Sequence, residues 1–388
     1  MPLVEDPNPY IAGEEKYWLA FSRVAGIGPR RLEKLLAYFG TLAEAWRANS
    51  GDLMAAGLEP KLLERLLLFR KGFELDKEME RLDKLGVAVL IPGDGRYPER
   101  LAQTEGAPPL LYMRGNLTAD DDLALGVVGT RKATTYGKTV TQSLVGEVAS
   151  QGITIVSGLA RGIDTCAHQA ALQAGGRTIA VLGCGVDVAY PPENAKLVEQ
   201  ILKEERGAIL SEYSPGTQPE ASNFPPRNRI ISGISMGVLV VEMGEKSGAQ
   251  ITVTYANEQG REVMAVPGNI FNDSSKGVHR ILQQGATLVT SASDIIQAIG
   301  LSQMTLPDVM DDLPPSQEIT GDDDTERALL RIIRNGGSEP RHIDDIVLES
   351  GLAVSTVSGA LTMMEIKGKV KNQGGMRYSL AVPVRNRS

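Results

Sequence analysis

Between about Leu85 and Ile299, short apolar runs alternate with segments of helical character, and this alternation narrows the fold more than any other feature. The runs are VAVLI from 87, LALGVV from 123, ITIV from 153, TIAVL from 178, GVLVVE from 237 and EVMAV from 262. Apolar stretches without polar alternation are strands buried on both faces, and intervening helices supply the cover. The pattern predicts an α/β fold: a Rossmann-like, mainly parallel sheet. Functional loops in such sheets collect at the carboxyl ends of the strands. A chain of 388 residues exceeds one typical domain, so flanking modules are expected.

The strand-end loops carry the chemistry. After Val128 come Gly129, Thr130, Arg131 and Lys132, then a helical segment from Gly137. Glycine permits close backbone approach, a helix start offers unpaired N–H groups, and arginine presents a donor fork suited to phosphate. The stretch is neither G-x-G-x-x-G nor G-x-x-x-x-G-K-[ST]. Ser157 to Asp164 (SGLARGID), Gly183 to Asn194, Asn223 to Ser235 and Met243 to Thr252 follow later strands. Gathered on one sheet edge, they would line a trough with Arg131, Lys132, Arg161, Lys196, Arg227, Arg229 and Lys246, and with one aromatic ring, Phe224. Cations tracking phosphates beside a ring that receives a base is how a single strand is held.

Catalytic readings are weaker. Asp164 and His168 stand i, i+4 on one helix, but no third metal ligand has a fixed spacing; a buried His168 held by Asp164 or a backbone group is preferred. Glu212 and Glu242 would anchor Arg227 or Arg229 rather than act as acids. Cys184 reads as small-residue packing. Two cysteines without metal or redox spacing suggest a reduced, cytoplasmic setting, and no apolar run reaches membrane-spanning length. No cofactor or metal is expected.

The flanks differ. Residues 1–80 read as short helices, with Leu32, Leu35 and Leu36, then Leu62, Leu63, Leu66 and Leu67, at helical spacing. There the Gly26-Ile27-Gly28 turn opens a basic helix, and two readings stay open: a phosphate-meeting helix-hairpin-helix, or a tight corner with Pro29 at the helix start. The α/β segment spans 81–304. Residues 305–324 form a linker with seven acidic and no basic residues. From 325 to 388 the local net charge is +4, from ten Lys/Arg and six Asp/Glu. Ile343 to Val370 looks like a helix-turn-helix leading to a wing, with Gly351 at the turn, Ser355 as cap and Gly374-Gly375 at the wing tip. Its second helix is poor in Arg and Lys, which favours docking to protein over reading DNA.

The motifs GTRKATTYG, SGLARGIDTCAH, VLGCGVDVAYP, SEYSPG, FPPRNRIISGIS, SGAQIT and VPGN resemble, in order, those of the DNA-processing protein DprA (Smf) family, from about Leu85 to Ile299. The flanks resemble that family's N-terminal SAM-like helical domain and C-terminal winged helix. The resemblance implies a cytoplasmic single-stranded DNA-binding homodimer without enzymatic turnover. It would protect incoming DNA in natural transformation and help load the RecA recombinase, displacing single-strand-binding protein. It implies DNA contacts at Gly129, Thr130 and Arg131, at Ser157, Gly158 and Leu159, at Phe224, Arg227, Asn228 and Arg229, and at Lys246, Ser247 and Gly248. Where the family has G-[ST]-N-x-L-I, this chain has Gly277-Val278-His279-Arg280-Ile281-Leu282. The alternative is a nucleotide-binding or nucleotide-hydrolysing Rossmann-like enzyme, whose PGG-x-GT loop is absent. A third reading, a docking scaffold dominated by the winged helix, makes residues 325–388 essential to all binding.

Overall fold

The computed structural model describes residues 13–301, 322–335 and 340–380. Most of the acidic linker, 305–321, lies outside them. The chain divides into two compact units, residues 1–304 and 305–388.

The first unit begins with helices α1 (Glu15–Ser22), α2 (Pro29–Phe39), α3 (Leu42–Arg47), α4 (Ser50–Ala55), α5 (Pro60–Gly72) and α6 (Leu75–Lys84). Pro29 sits in the first turn of α2, where its missing N–H costs nothing. In the preceding turn Arg31 donates to Gly26 O and Arg65 to Ala25 O, and Ile27 is buried. The helices' core does not stop at residue 80. Leu19, Phe21, Leu35 and Leu66 belong to one apolar cluster with Val89, Tyr112, Leu182, Val198 and Ile209 of the sheet module.

That module runs β1 (Ala88–Leu90), α7 (Glu99–Ala102), β2 (Leu111–Gly115), β3 (Ala124–Val128), α8 (Thr135–Ser150), β4 (Thr154–Ser157), α9 (Ile163–Gln173), β5 (Thr178–Val181), α10 (Ala195–Lys203), β6 (Gly207–Ser211), α11 (Phe224–Ile234), β7 (Gly237–Val240), α12 (Ala249–Glu258), β8 (Glu262–Ala265), α13 (Asp273–Gln283), β9 (Thr287–Leu288) and α14 (Ala292–Ala298). The nine strands lie in the order β1-β2-β6-β5-β4-β3-β7-β8-β9. From β6 to β9 every neighbouring pair is parallel; β2 pairs antiparallel with both β1 and β6. Strands β2 and β9 carried no clear sequence signal.

Burial on both faces explains the continuous apolar runs. Every residue of β3 is buried. Leu125 and Val127 join α8, α9 and α14 in one core, while Ala124 and Val128 join α11, α12 and α13 in the other. The chain builds β3 to β6 outward, then returns to place β7 on the other side of β3. The order therefore reverses between β3 and β7, the place where such sheets open a crevice.

The second unit contains α15 (Asp324–Asn335), β10 (Arg341–His342), α16 (Ile343–Ser350), α17 (Val354–Ile366), β11 (Val370–Asn372) and β12 (Arg377–Leu380), with the strands in the order β10-β12-β11. It is a winged helix. Gly351 ends α16 at φ +66°, and Gly374 and Gly375 take positive φ at the wing tip. Ser355 is not the cap: α17 starts one residue earlier, after Ala353, with no side-chain cap. Asp322, at the end of the expected linker, bonds with Glu326 to both Lys367 and Lys369. Two of the unit's lysines are thus already paired.

Candidate nucleic-acid interface

The site is built on the turn after β3. Thr130 N donates to Glu242 O at 2.8 Å, and Ile163 N to Thr130 O at 3.2 Å. These bonds tie the turn to the end of β7 and the start of α9. Gly162, at φ +83°, lies so close beneath that a Cβ would overlap Thr130 O. With the backbone pinned on both sides, Arg131 and Lys132 project outward, exposed and without an ion-pair partner among the described residues.

Arg131 faces a pocket of about 690 Å³, which Gly129, Thr130, Ala160, Tyr190, Phe224, Asn228, Lys246, Ser247 and Gly248 also line. Its guanidinium lies 5.6 Å from the centroid of the half-buried Phe224 ring. Phe224 is the first residue of α11 rather than part of a loop, and Pro225 and Pro226 follow in that first turn. A proline pair at a helix start gives up no intrahelical bond. The Tyr190 ring lies 5.6 Å from Phe224 at an interplanar angle of 31°. The site therefore holds two aromatic rings where the sequence suggested one. Tyr190 stood in the Gly183–Asn194 loop, and only its place beside Phe224 reveals it.

Arg227 is not a surface cation. It is 4 % exposed, and donates to Gly158 O at 2.8 Å and to Val181 O. Its guanidinium fills the space where a Cβ on Gly158 would stand, and lies 5.9 Å from the Phe224 centroid. Burial lowers it to about 10 despite the Asp164 carboxylate. It props the β4 and β5 ends under the ring. Ser157 is likewise spent, donating to Val127 O at 2.6 Å. The Leu159 side chain is fully buried and its φ is +57°. Asp164 holds this loop by accepting from Gly158 N and Ala160 N. Ser157 and Leu159 are thus supports rather than side chains open to a ligand, while Arg227, though buried, lines the floor of the pocket.

A family profile described as DNA recombination-mediator protein A matches residues 88–300, and one described as DprA winged helix domain matches 313–376. Protein Smf of Synechocystis sp. is 37 % identical over 94 % of this chain and 98 % of its own length. The chain belongs to the DprA family. DNA processing protein DprA of Streptococcus pneumoniae is 42 % identical over 57 % of this chain and 76 % of its own. An X-ray structure of DNA processing protein A from the same species matches with a TM-score of 0.64 and 36 % identity, covering 74 % of this chain and 98 % of that one.

The remaining cations of this DprA chain do not form one row. Arg229 is held by Glu212 through two bonds of 2.8 and 2.7 Å, an anchor of the kind expected for an arginine at this site. Arg161 pairs with Glu193 at 2.7 Å. Lys132 and Lys196 are exposed but do not line the pocket. Glu242 anchors no arginine; it accepts from Thr134 N and Thr134 Oγ1. Among the described residues, no group of three or more His, Cys, Asp or Glu side chains could hold a metal, and no single helix is long and apolar enough to cross a membrane.

His168 is fully buried and bonds Thr178 Oγ1 at 2.7 Å, not Asp164. Thr178 gives its own proton to Ile155 O, so His168 carries its hydrogen on Nδ1 and Nε2 is bare and unpartnered. Burial, and then Arg227, push His168 down to about 3, while burial pushes Asp164 up to about 6. The signs oppose. The His168 contribution is complete above about 6.5 and is lost as pH falls towards 3, because the unfolded chain takes up the proton first. The Asp164 contribution falls as pH rises from about 4 to 6, because the folded form keeps its proton longer. His168→Gln should therefore cost most at neutral pH and least in acid. Denaturation midpoints of variant and parent at about pH 5 and about pH 7.5 will show the gap narrowing on the acid side.

Proposed function

We propose that this DprA-family chain is a single-stranded DNA-binding mediator of natural transformation and recombination, which acts by holding DNA rather than by turnover. The observation that carries the reading is the pairing of Arg131 and Lys246, exposed and without an ion-pair partner among the described residues, with the Phe224 and Tyr190 rings around one open pocket. Unpaired cations at strand ends suit phosphates, and rings beside them suit unstacked bases, which a duplex does not present. A relative's name, DNA processing protein DprA, and the matching profile's description, DNA recombination-mediator protein A, support it. Within this reading Gly129, Thr130, Lys132, Asn228, Ser247 and Gly248 complete the contact surface, with Arg161, Lys196 and Arg229 beyond the pocket.

The wider reading has the chain as a cytoplasmic homodimer that protects incoming strand, displaces single-strand-binding protein and helps load RecA. Residues 1–80 act as the helical module, 81–304 as the DNA-holding module and 325–388 as the winged helix. The winged helix is assigned a protein partner, because α17 carries no Arg or Lys.

Titrating labelled single- and double-stranded oligonucleotides at two salt concentrations tests the central claim. Strong preference for the single strand with no released product supports it; equal affinity or product formation overturns it. Arg131→Ala should weaken single-strand binding and lower the salt slope by about 0.7, the loss of one phosphate contact. An unchanged slope would remove Arg131 from the contact surface.

A further inference from the structure

We propose that Glu242 is a built-in anion that occupies the start of α8 and denies that helix end to free phosphate. The opening amides of a helix have no partners inside it, and in doubly wound sheets the helix after the first central strand turns them towards a ligand's phosphate. Helix α8 occupies that position here, directly after the Gly129–Arg131 turn and beside the reversal of strand order.

Two of its opening amides, Thr134 N and Gly137 N, are already taken. Glu242 is 3 % exposed. One carboxylate oxygen accepts from Thr134 N at 2.9 Å, and the other from Thr134 Oγ1 at 2.6 Å and Ser274 Oγ at 3.4 Å. Thr134 Oγ1 in turn accepts from Gly137 N at 3.1 Å, so carboxylate, hydroxyl and third amide form one closed set. A Cβ at position 137 would overlap the carboxylate, and only glycine leaves that room. No lysine or arginine pairs with Glu242 among the described residues; hydroxyls and the positive end of α8 meet its charge.

Two things follow for a ligand. A phosphate arriving at α8 meets the Glu242 carboxylate and finds the Thr134 and Gly137 amides occupied, which leaves it only those of Thr135 and Tyr136. Phosphate can be gripped only further out, by Arg131 and Lys246 at the pocket rim, where the next phosphate of a polymer can follow. This outer half rests on the strand-binding reading; the closure of α8 does not.

The test is a titration of the full chain and of Glu242→Ala with inorganic phosphate and with AMP, read by calorimetry and by thermal melting against chloride of equal ionic strength. In the parent neither probe should engage α8, and any weak binding of phosphate or AMP at the pocket rim should be lost with Arg131→Ala. Glu242→Ala should melt lower and be restored by phosphate but not by chloride, with affinity gained by roughly tenfold or more, the scale of one charge at a helix end. A folded Glu242→Ala blind to both probes overturns the proposal. Should that variant not fold, the parent's Thr134 and Gly137 amide resonances decide: stillness under phosphate and AMP supports closure, and saturable shifts overturn it. Oligonucleotide binding by the parent is measured separately. Its absence would remove the strand-binding reading and leave the phosphate result standing.

Discussion

Arg227→Ala should lose about 3–5 kcal/mol of folding stability, the scale for removing one partner from a buried, charged arrangement. The guanidinium donates to Gly158 O and Val181 O and faces Asp164 at the floor of the pocket, where both side chains are buried. Without it, two carbonyls lose their donor and the loop after β4 loses its brace. Urea denaturation reads the loss, and Arg227→Lys should recover only part, because an ammonium gives up the Nε donation to Asn228 Oδ1 and the planar face set against Phe224. A phosphate-gripping arginine would behave in the opposite way, weakening DNA binding while leaving the denaturation midpoint unchanged. That result would return Arg227 to the binding surface.

Phe224→Ala should cost about 1–3 kcal/mol in single-strand affinity, the range for one base stacked on a ring. The salt slope should hold, because no phosphate contact is removed, and this separates it from Arg131→Ala. Phe224→Trp should retain most of the affinity. The ring also packs against Gly183, where a Cβ would lie 2.9 Å from it, so stability must be measured alongside. A loss confined to stability would make Phe224 a packing residue and leave Tyr190 as the candidate base platform.

The sheet was legible because burial on both faces writes itself as uninterrupted apolar residues, as in Ala124–Val128. Strand β9 was not, since two residues carry no period. The cations were legible by type but not by role. Arg131, Arg227 and Arg229 read alike in sequence, yet one is exposed, one is buried against carbonyls and one is paired with Glu212. That sorting depends on what the neighbouring strand ends offer, which spacing along the chain does not encode. His168 shows the same limit: its i, i+4 neighbour is Asp164, but its partner is Thr178 on the adjacent strand. Tyr190 and Phe224 are 34 positions apart, and only the order of strands makes them one platform.

The shared core of the N-terminal helices and the sheet has a thermodynamic consequence. Phe21, Leu35 and Leu66 are covered by the same cluster that covers Val89, Tyr112 and Ile209, so neither part can be exposed to water without exposing the other. Residues 13–301 should therefore melt as one cooperative body. A cut near residue 80 would not release a ready-made sheet domain; it would uncover the apolar flank of β1, β2 and β6 and leave a product prone to self-association.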